Sequence, residues 1–151
     1  MIIKVNPIIQ NHIQGLCKLR YKSHPNGCPN YSIKKGCPPC LLYDEVYNLS
    51  HDVYAIIYEF DLASHVSKLK LKHPNWSDRQ LKCCLYWQGT ARKELKKLCD
   101  DFIKEYPNYE INTVPEALGV NVTRTMSEVG VKLEWMPKNI VRKIAFAAIR
   151  K

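Results

Sequence analysis

No apolar run in this chain approaches the roughly 20 residues of a membrane-spanning helix. The opening segment, MIIKVNPIIQ, has no basic stretch ahead of an apolar one, so it does not read as a secretory leader. A glycine-rich phosphate loop, an HExxH helix and a G-x-S-x-G elbow are all missing. So are internal repeats, low-complexity segments and any recognised nucleic-acid-binding motif. These absences remove the commonest nucleotide, metalloprotease and hydrolase signatures. They leave the expectation of a cytoplasmic chain with no membrane contact.

That expectation governs the cysteines. In a secreted chain seven cysteines suggest disulfides; in an intracellular one they suggest metal or redox chemistry. The odd count also argues against a complete disulfide framework. The 151 residues predict a single domain spanning 1–151. The chain is 46% hydrophobic and 25% charged, which suits an ordinary core and argues against disorder. Its net charge of +9 suits an anionic partner, such as a nucleotide or RNA.

The stretch from Leu16 to Cys40, LCKLRYKSHPNGCPNYSIKKGCPPC, holds Cys17, Cys28, Cys37 and Cys40. It is too rich in Pro, Gly and Asn for a helix or central strand. Something other than its own hydrogen-bond ladder must order it, and a metal centre is the leading candidate. Thiolates bind iron–sulfur clusters and zinc, and both want four ligands. The only close pair is Cys37-Pro38-Pro39-Cys40, whereas a zinc ribbon needs two such pairs. Cys28-Pro29 and Cys37-Pro38 each put a proline beside a thiol, where it stiffens the turn. A 4Fe–4S cluster is therefore the first expectation, with zinc the alternative.

The rest of the chain alternates strands and helices. Ile2–Val5 is a short strand, and Ile8–Leu19 predicts a short helix that delivers Cys17 at its end. Val53–Phe60 is the strongest strand, apolar on both faces until Glu59, as in a sheet covered on both sides. Asp61 predicts the cap of a helix to His73. Ser77 predicts the cap of a long helix over 77–105, with Leu81, Cys84, Gln88, Ala91, Leu95, Leu98 and Phe102 as its core stripe. Tyr109–Val114 reads as a strand, residues 123–129 as a helix stopped by Gly130, and Ile140–Ile149 as a last strand. The expected fold is α/β, a single domain with a mixed, mostly parallel sheet, flanking helices and a cysteine-rich metal-binding loop near the N-terminus.

Outside the loop, Cys83-Cys84 offers one thiol that completes the centre from a distance and another that is redox-active or catalytic. Cys84 also reads as a buried core thiol, and Cys99 as structural. His24 is the one histidine placed to ligate or donate a proton. Tyr86–Lys93 reads either as a substrate-pocket wall or as a solvated helix face. Glu116, in Pro115-Glu116-Ala117-Leu118-Gly119 at a strand end, is the candidate acid–base carboxylate.

Three segments carry a resemblance. They are His24-Pro25-Asn26-Gly27-Cys28-Pro29-Asn30-Tyr31 with Cys37-Pro38-Pro39, the Cys-x-Tyr-Trp-Gln-Gly-Thr-Ala-Arg-Lys run from Cys84, and Pro115–Val122 with Leu133-Glu134-Trp135-Met136-Pro137. Together they resemble the small prokaryotic and phage proteins described as predicted metal-binding proteins. The resemblance implies a cysteine-bound metal centre, plausibly a cluster, and no particular reaction. Cys17, Cys28 and Cys37 match the pattern. Cys40 stands outside it, which leaves the fourth ligand open among Cys40, Cys83 and Cys84. The expected set is Cys17, Cys28, Cys37 and Cys84 on a 4Fe–4S cluster, with Glu116 and Cys83 as catalytic candidates. The expected activity is sulfur or redox chemistry on a nucleotide or tRNA-like substrate, by a desulfidase, sulfur-transfer enzyme or reductase. The alternative is a zinc- or cluster-stabilised module that binds nucleic acid or a protein.

Overall fold

Val53 and the residues after it form the centre of the molecule, as their β-branched and aromatic composition dictates. In the computed structural model, which describes residues 1–151, they make strand β2 (Val53–Asp61). It pairs antiparallel with β1 (Ile2–Val5) on one side and with β4 (Ile140–Ala148) on the other. Strand β3 (Glu110–Asn112) closes the sheet against Phe146–Ala148 of β4, and the order is β1-β2-β4-β3.

Every neighbouring pair in this sheet is antiparallel, which corrects the expected mostly parallel arrangement. The reason is one of insertion. Strands β2 and β3 both run opposite to β4, so they run parallel to each other, joined by a helical crossover. The last strand slides between them and splits that parallel unit.

Both faces are covered, as the double-sided apolar pattern of β2 predicts. Val53, Ala55 and Ile57 join Phe146 and Ala148 against Tyr43, Val120 and Met126. On the opposite face Ile56, Ala145 and Ala147 pack on Leu95, Cys99 and Phe102. The latter three belong to α5 (Gln88–Glu105). Asp61 caps α3 (Leu62–Lys72) by accepting from the Ser64 amide at 2.9 Å.

The expected helix over 77–105 is broken. It divides into α4 (Asp78–Leu81), a 3-10 turn over Cys84–Tyr86, and α5. Leu81 and Trp87 are both buried, and Trp87 stacks on Phe60 with centroids 5.3 Å apart. Six residues apart on an unbroken helix, they would point to different sides. The break lets both reach the core, and it leaves Cys84 exposed rather than on the core stripe.

Near the N-terminus the expected helix over residues 8–19 shrinks to α1 (His12–Gly15) and a 3-10 turn over Leu16–Lys18. Residues 19–42 form no helix or ladder strand, and α2 (Tyr43–Val46) follows. α6 (Val122–Glu128) ends before Gly130 in the left-handed region, as expected.

Candidate metal centre and its cleft

The cysteine loop is built from successive turns. The Tyr31 amide donates to the Cys28 carbonyl, that of Lys34 to Asn30 and that of Cys37 to Lys34. The Ser32 amide closes the outer turn on the Pro38 carbonyl at 2.8 Å. Ser23 and Ser32 both hold positive φ, 71° and 61°, a strained choice for residues with a Cβ.

Gly27 brings the turns together. Its φ is +83°, and a Cβ there would lie 2.5 Å from the Cys17 carbonyl oxygen and 2.8 Å from Lys18 main-chain atoms. Only a glycine allows this approach. Next to it, the Cys28 amide donates to the Cys17 carbonyl at 2.7 Å. Lys18 also sits 5.1 Å over the Tyr31 ring.

Cys17 and Cys28 are thereby brought together, and Cys37 lies near enough for the Cys17 thiol to feel it. Burial pushes the Cys17 thiol up, and the neighbouring Cys28 and Cys37 push it further. Cys40 is raised by burial and then by Cys37. Its Sγ donates to the Ala117 carbonyl at 3.0 Å, and Gln14 Nε2 donates to its backbone carbonyl at 2.9 Å. No three Cys, His, Asp or Glu side chains converge closely enough to hold a metal ion. Residues 16–43 carry five cations and no carboxylate.

The far wall comes from the segment after β3. The Gln10 amide donates to the Gly119 carbonyl at 2.8 Å and the Asn121 amide to Ile8 at 2.7 Å, while Asn121 Nδ2 donates to Gln10 Oε1 at 2.7 Å. This clasp fixes the 3-10 turn Pro115–Leu118 opposite the loop. Between them lies a cleft of about 730 Å³, with Cys17, Cys37, Glu116, Arg124 and Trp135 on its walls. A second cleft of about 320 Å³ runs along β4 past Arg142 and shares Glu116, Thr123 and Trp135 with the first.

Glu116 therefore stands where the two clefts meet. Its outline is exposed, yet protein crowds its carboxyl from both sides. That partial loss of water raises it above the usual 4.5, while its own amide and Lys143 pull it down. Solvent still reaches the group, so the effect falls short of full burial.

Cys84 is exposed on the 3-10 turn. It lies beside Lys143 of β4, which also feels Arg92 and Glu116; burial and then Arg92 lower the Lys143 ammonium, against the pull of Cys84 and Glu116. Cys83 is half-buried where the 3-10 turn begins. Cys99 is buried among Leu95 and Phe102. His24 packs on Tyr21 with centroids 4.6 Å apart. Arg124 and Lys143 gave no signal in the sequence, because single cations on a short helix and an apolar strand read as solvated. Trp135 is 90% exposed, a bulk on the cleft rim that no apolar periodicity marks.

No family model, curated protein or solved structure matches this chain.

Proposed function

We propose that this chain is an iron–sulfur protein whose loop thiols Cys17, Cys28 and Cys37 hold a 4Fe–4S cluster on the wall of the larger cleft. The observation that carries this is that the Gly27 contact brings Cys28 against Cys17, with Cys37 close enough for the Cys17 thiol to feel it. They sit in a segment with five cations, no carboxylate and no ladder of its own. Loops this long without regular structure are uncommon unless they are functional or disordered. The Cys17 thiol senses those of Cys28 and Cys37.

Cys84 is outside this set, in contrast to the fourth ligand expected from the sequence, and remains a free thiol beside Lys143. Cys17, Cys28 and Cys37 would hold the cluster, which would supply Lewis-acid or redox chemistry at the cleft wall. The chain's own groups supply the rest. Glu116 holds a proton more tightly than an ordinary carboxylate at the junction of the clefts. Arg124 and Arg142 line the clefts and favour an anionic substrate, consistent with sulfur or redox chemistry on a nucleotide or tRNA-like molecule.

The test is a cysteine series purified anaerobically and read by iron content and the visible thiolate-to-iron absorption. Cys28→Ala is expected to lose both, and Cys84→Ala and Glu116→Gln to keep both. Loss of iron in Cys84→Ala to the same extent as in Cys28→Ala would restore the sequence-based ligand set. Stoichiometric zinc in the wild-type protein would remove the cluster reading.

A further inference from the structure

The break between α4 and α5 creates a surface that the fold does not need. Its 3-10 turn points Leu85 outward at 85% exposure and Tyr86 at 52%. Leu71, on the last turn of α3, is also 85% exposed. Burying one side of a helix does not call for this.

Three rings are stacked there. Trp76 lies on His73 with centroids 3.9 Å apart and planes 9° apart. Tyr86 lies on Trp76 at 5.3 Å and 27°. Trp76 is shared by both contacts; Tyr86 is exposed and His73 half-buried, at the two ends of the stack. The ladder is held in place: the Trp76 amide donates to the His73 carbonyl, and Lys70 Nζ donates to the Trp76 carbonyl at 3.2 Å.

The surroundings are cationic. Residues 62–87 contain Lys68, Lys70, Lys72, Arg79 and Lys82 against a single carboxylate, Asp78. Asp78 pairs only with Lys82, at a loose 3.9 Å. Lys70, Lys72 and Arg79 have no carboxylate within ion-pair distance. The chain therefore spends no charge on neutralising them.

Stacked rings beside unneutralised cations complement one kind of polymer. Single-stranded nucleic acid offers a planar face on every base and a phosphate at every step. An acidic protein would use the cations but leave the ring faces idle. A membrane surface would use splayed apolar side chains, whereas these rings lie flat on one another. We propose that the corner formed by the end of α3, α4 and the Cys84–Tyr86 turn binds single-stranded nucleic acid. Bases stack on the outer faces of Tyr86 and His73, and phosphates run along Lys70, Lys72, Arg79 and Lys82. The turn that carries Tyr86 also carries Cys84, so a bound strand passes beside that thiol. This inference does not depend on a metal in the loop.

The experiment titrates the full-length protein into a short fluorescein-labelled oligouridine and follows anisotropy over a range of salt. Tyr86→Ala and His73→Ala are each expected to weaken binding about tenfold, within the range found for lost base stacking. Tyr86→Phe, which keeps the ring, is expected to stay within about twofold of wild type. Lys70→Ala and Lys72→Ala should each flatten the log–log salt slope by about 0.7. Lys96→Ala, whose ammonium is already paired with Asp100 at 2.6 Å, should change nothing. Unchanged urea midpoints in the two ring variants show that the fold survives. Three results would overturn the proposal: wild-type affinity in both alanine ring variants, equal competition by polyglutamate of matched charge, or Tyr86-dependent binding to phosphatidylserine vesicles without Tyr86-dependent binding to oligouridine.

Discussion

Gly27→Ala places a methyl group where the Cys17 carbonyl oxygen already is. The built Cβ lies 2.5 Å from that oxygen and 2.8 Å from the carbonyl carbon of Lys18, and both obstacles are backbone. The new residue must also hold φ near +83°, which costs a residue with a Cβ about 1–2 kcal/mol. Relieving the clash moves the Cys17–Lys18 chain away and breaks the 2.7 Å bond from the Cys28 amide, a net loss of about 1 kcal/mol. The local penalty is therefore about 2–3 kcal/mol, or about 30- to 150-fold in the opening of the loop. None of residues 19–42 belongs to a buried core cluster. The loop can let go while the sheet stays folded, so global stability is largely spared. Native-state hydrogen exchange reads this directly: Cys28 amide protection should fall by that factor while amides in β2 hold theirs. Gly36→Ala is the matched control. It has a similar φ of +82° but no atom within 4 Å, so it pays only the conformational cost. Unchanged Cys28 protection in Gly27→Ala, or equal losses in both variants, would refute the reasoning that this contact holds the loop together.

Phe146 is fully buried and meets the Tyr43 ring edge-on at 6.1 Å, so Phe146→Ala should cost about 3–5 kcal/mol in urea unfolding. Asn121 accepts from the Arg124 amide at 3.1 Å and clasps Gln10 at 2.7 Å; Asn121→Ala should cost about 1–2 kcal/mol, measured the same way. The Cys99 thiol is pushed up to about 11 by burial, with Asp100 adding to the effect and Lys96 opposing it. Above its ordinary 9.0 the unfolded chain gives up a proton that the folded chain keeps, so stability is full below pH 9 and falls as pH rises towards 11. Over that window wild type should lose about 2 kcal/mol more than Cys99→Ala; parallel curves for the two would contradict the assignment.

Much of the frame was legible. The β-branched run of β2, the Asp61 cap, the Gly130 stop and the apolar stretch of β4 all declare themselves locally. Sheet direction did not, because alternating strands and helices look alike whether two parallel strands are neighbours or are split by a later one. The break at Lys82–Trp87 was hidden for a related reason. Leu81, Ala91 and Leu95 keep a plausible helical spacing, and only the need to bury Trp87 on Phe60 reveals that the phase is interrupted. In the candidate site, the density of cysteine and proline marked the loop, and the strand-end position marked Glu116. The exposure of Cys84 was not legible, since it depends on that same helix break. The ring ladder was invisible because His73, Trp76 and Tyr86 have no common period and meet only through two turns.

The decisive measurement is iron and acid-labile sulfide per chain in anaerobically purified full-length protein. A loop-bound cluster gives both in near-equal amounts, with a brown chromophore that Cys17→Ala, Cys28→Ala and Cys37→Ala each abolish. Stoichiometric zinc without sulfide, or metal-free protein whose loop thiols are all freely alkylated, would contradict it.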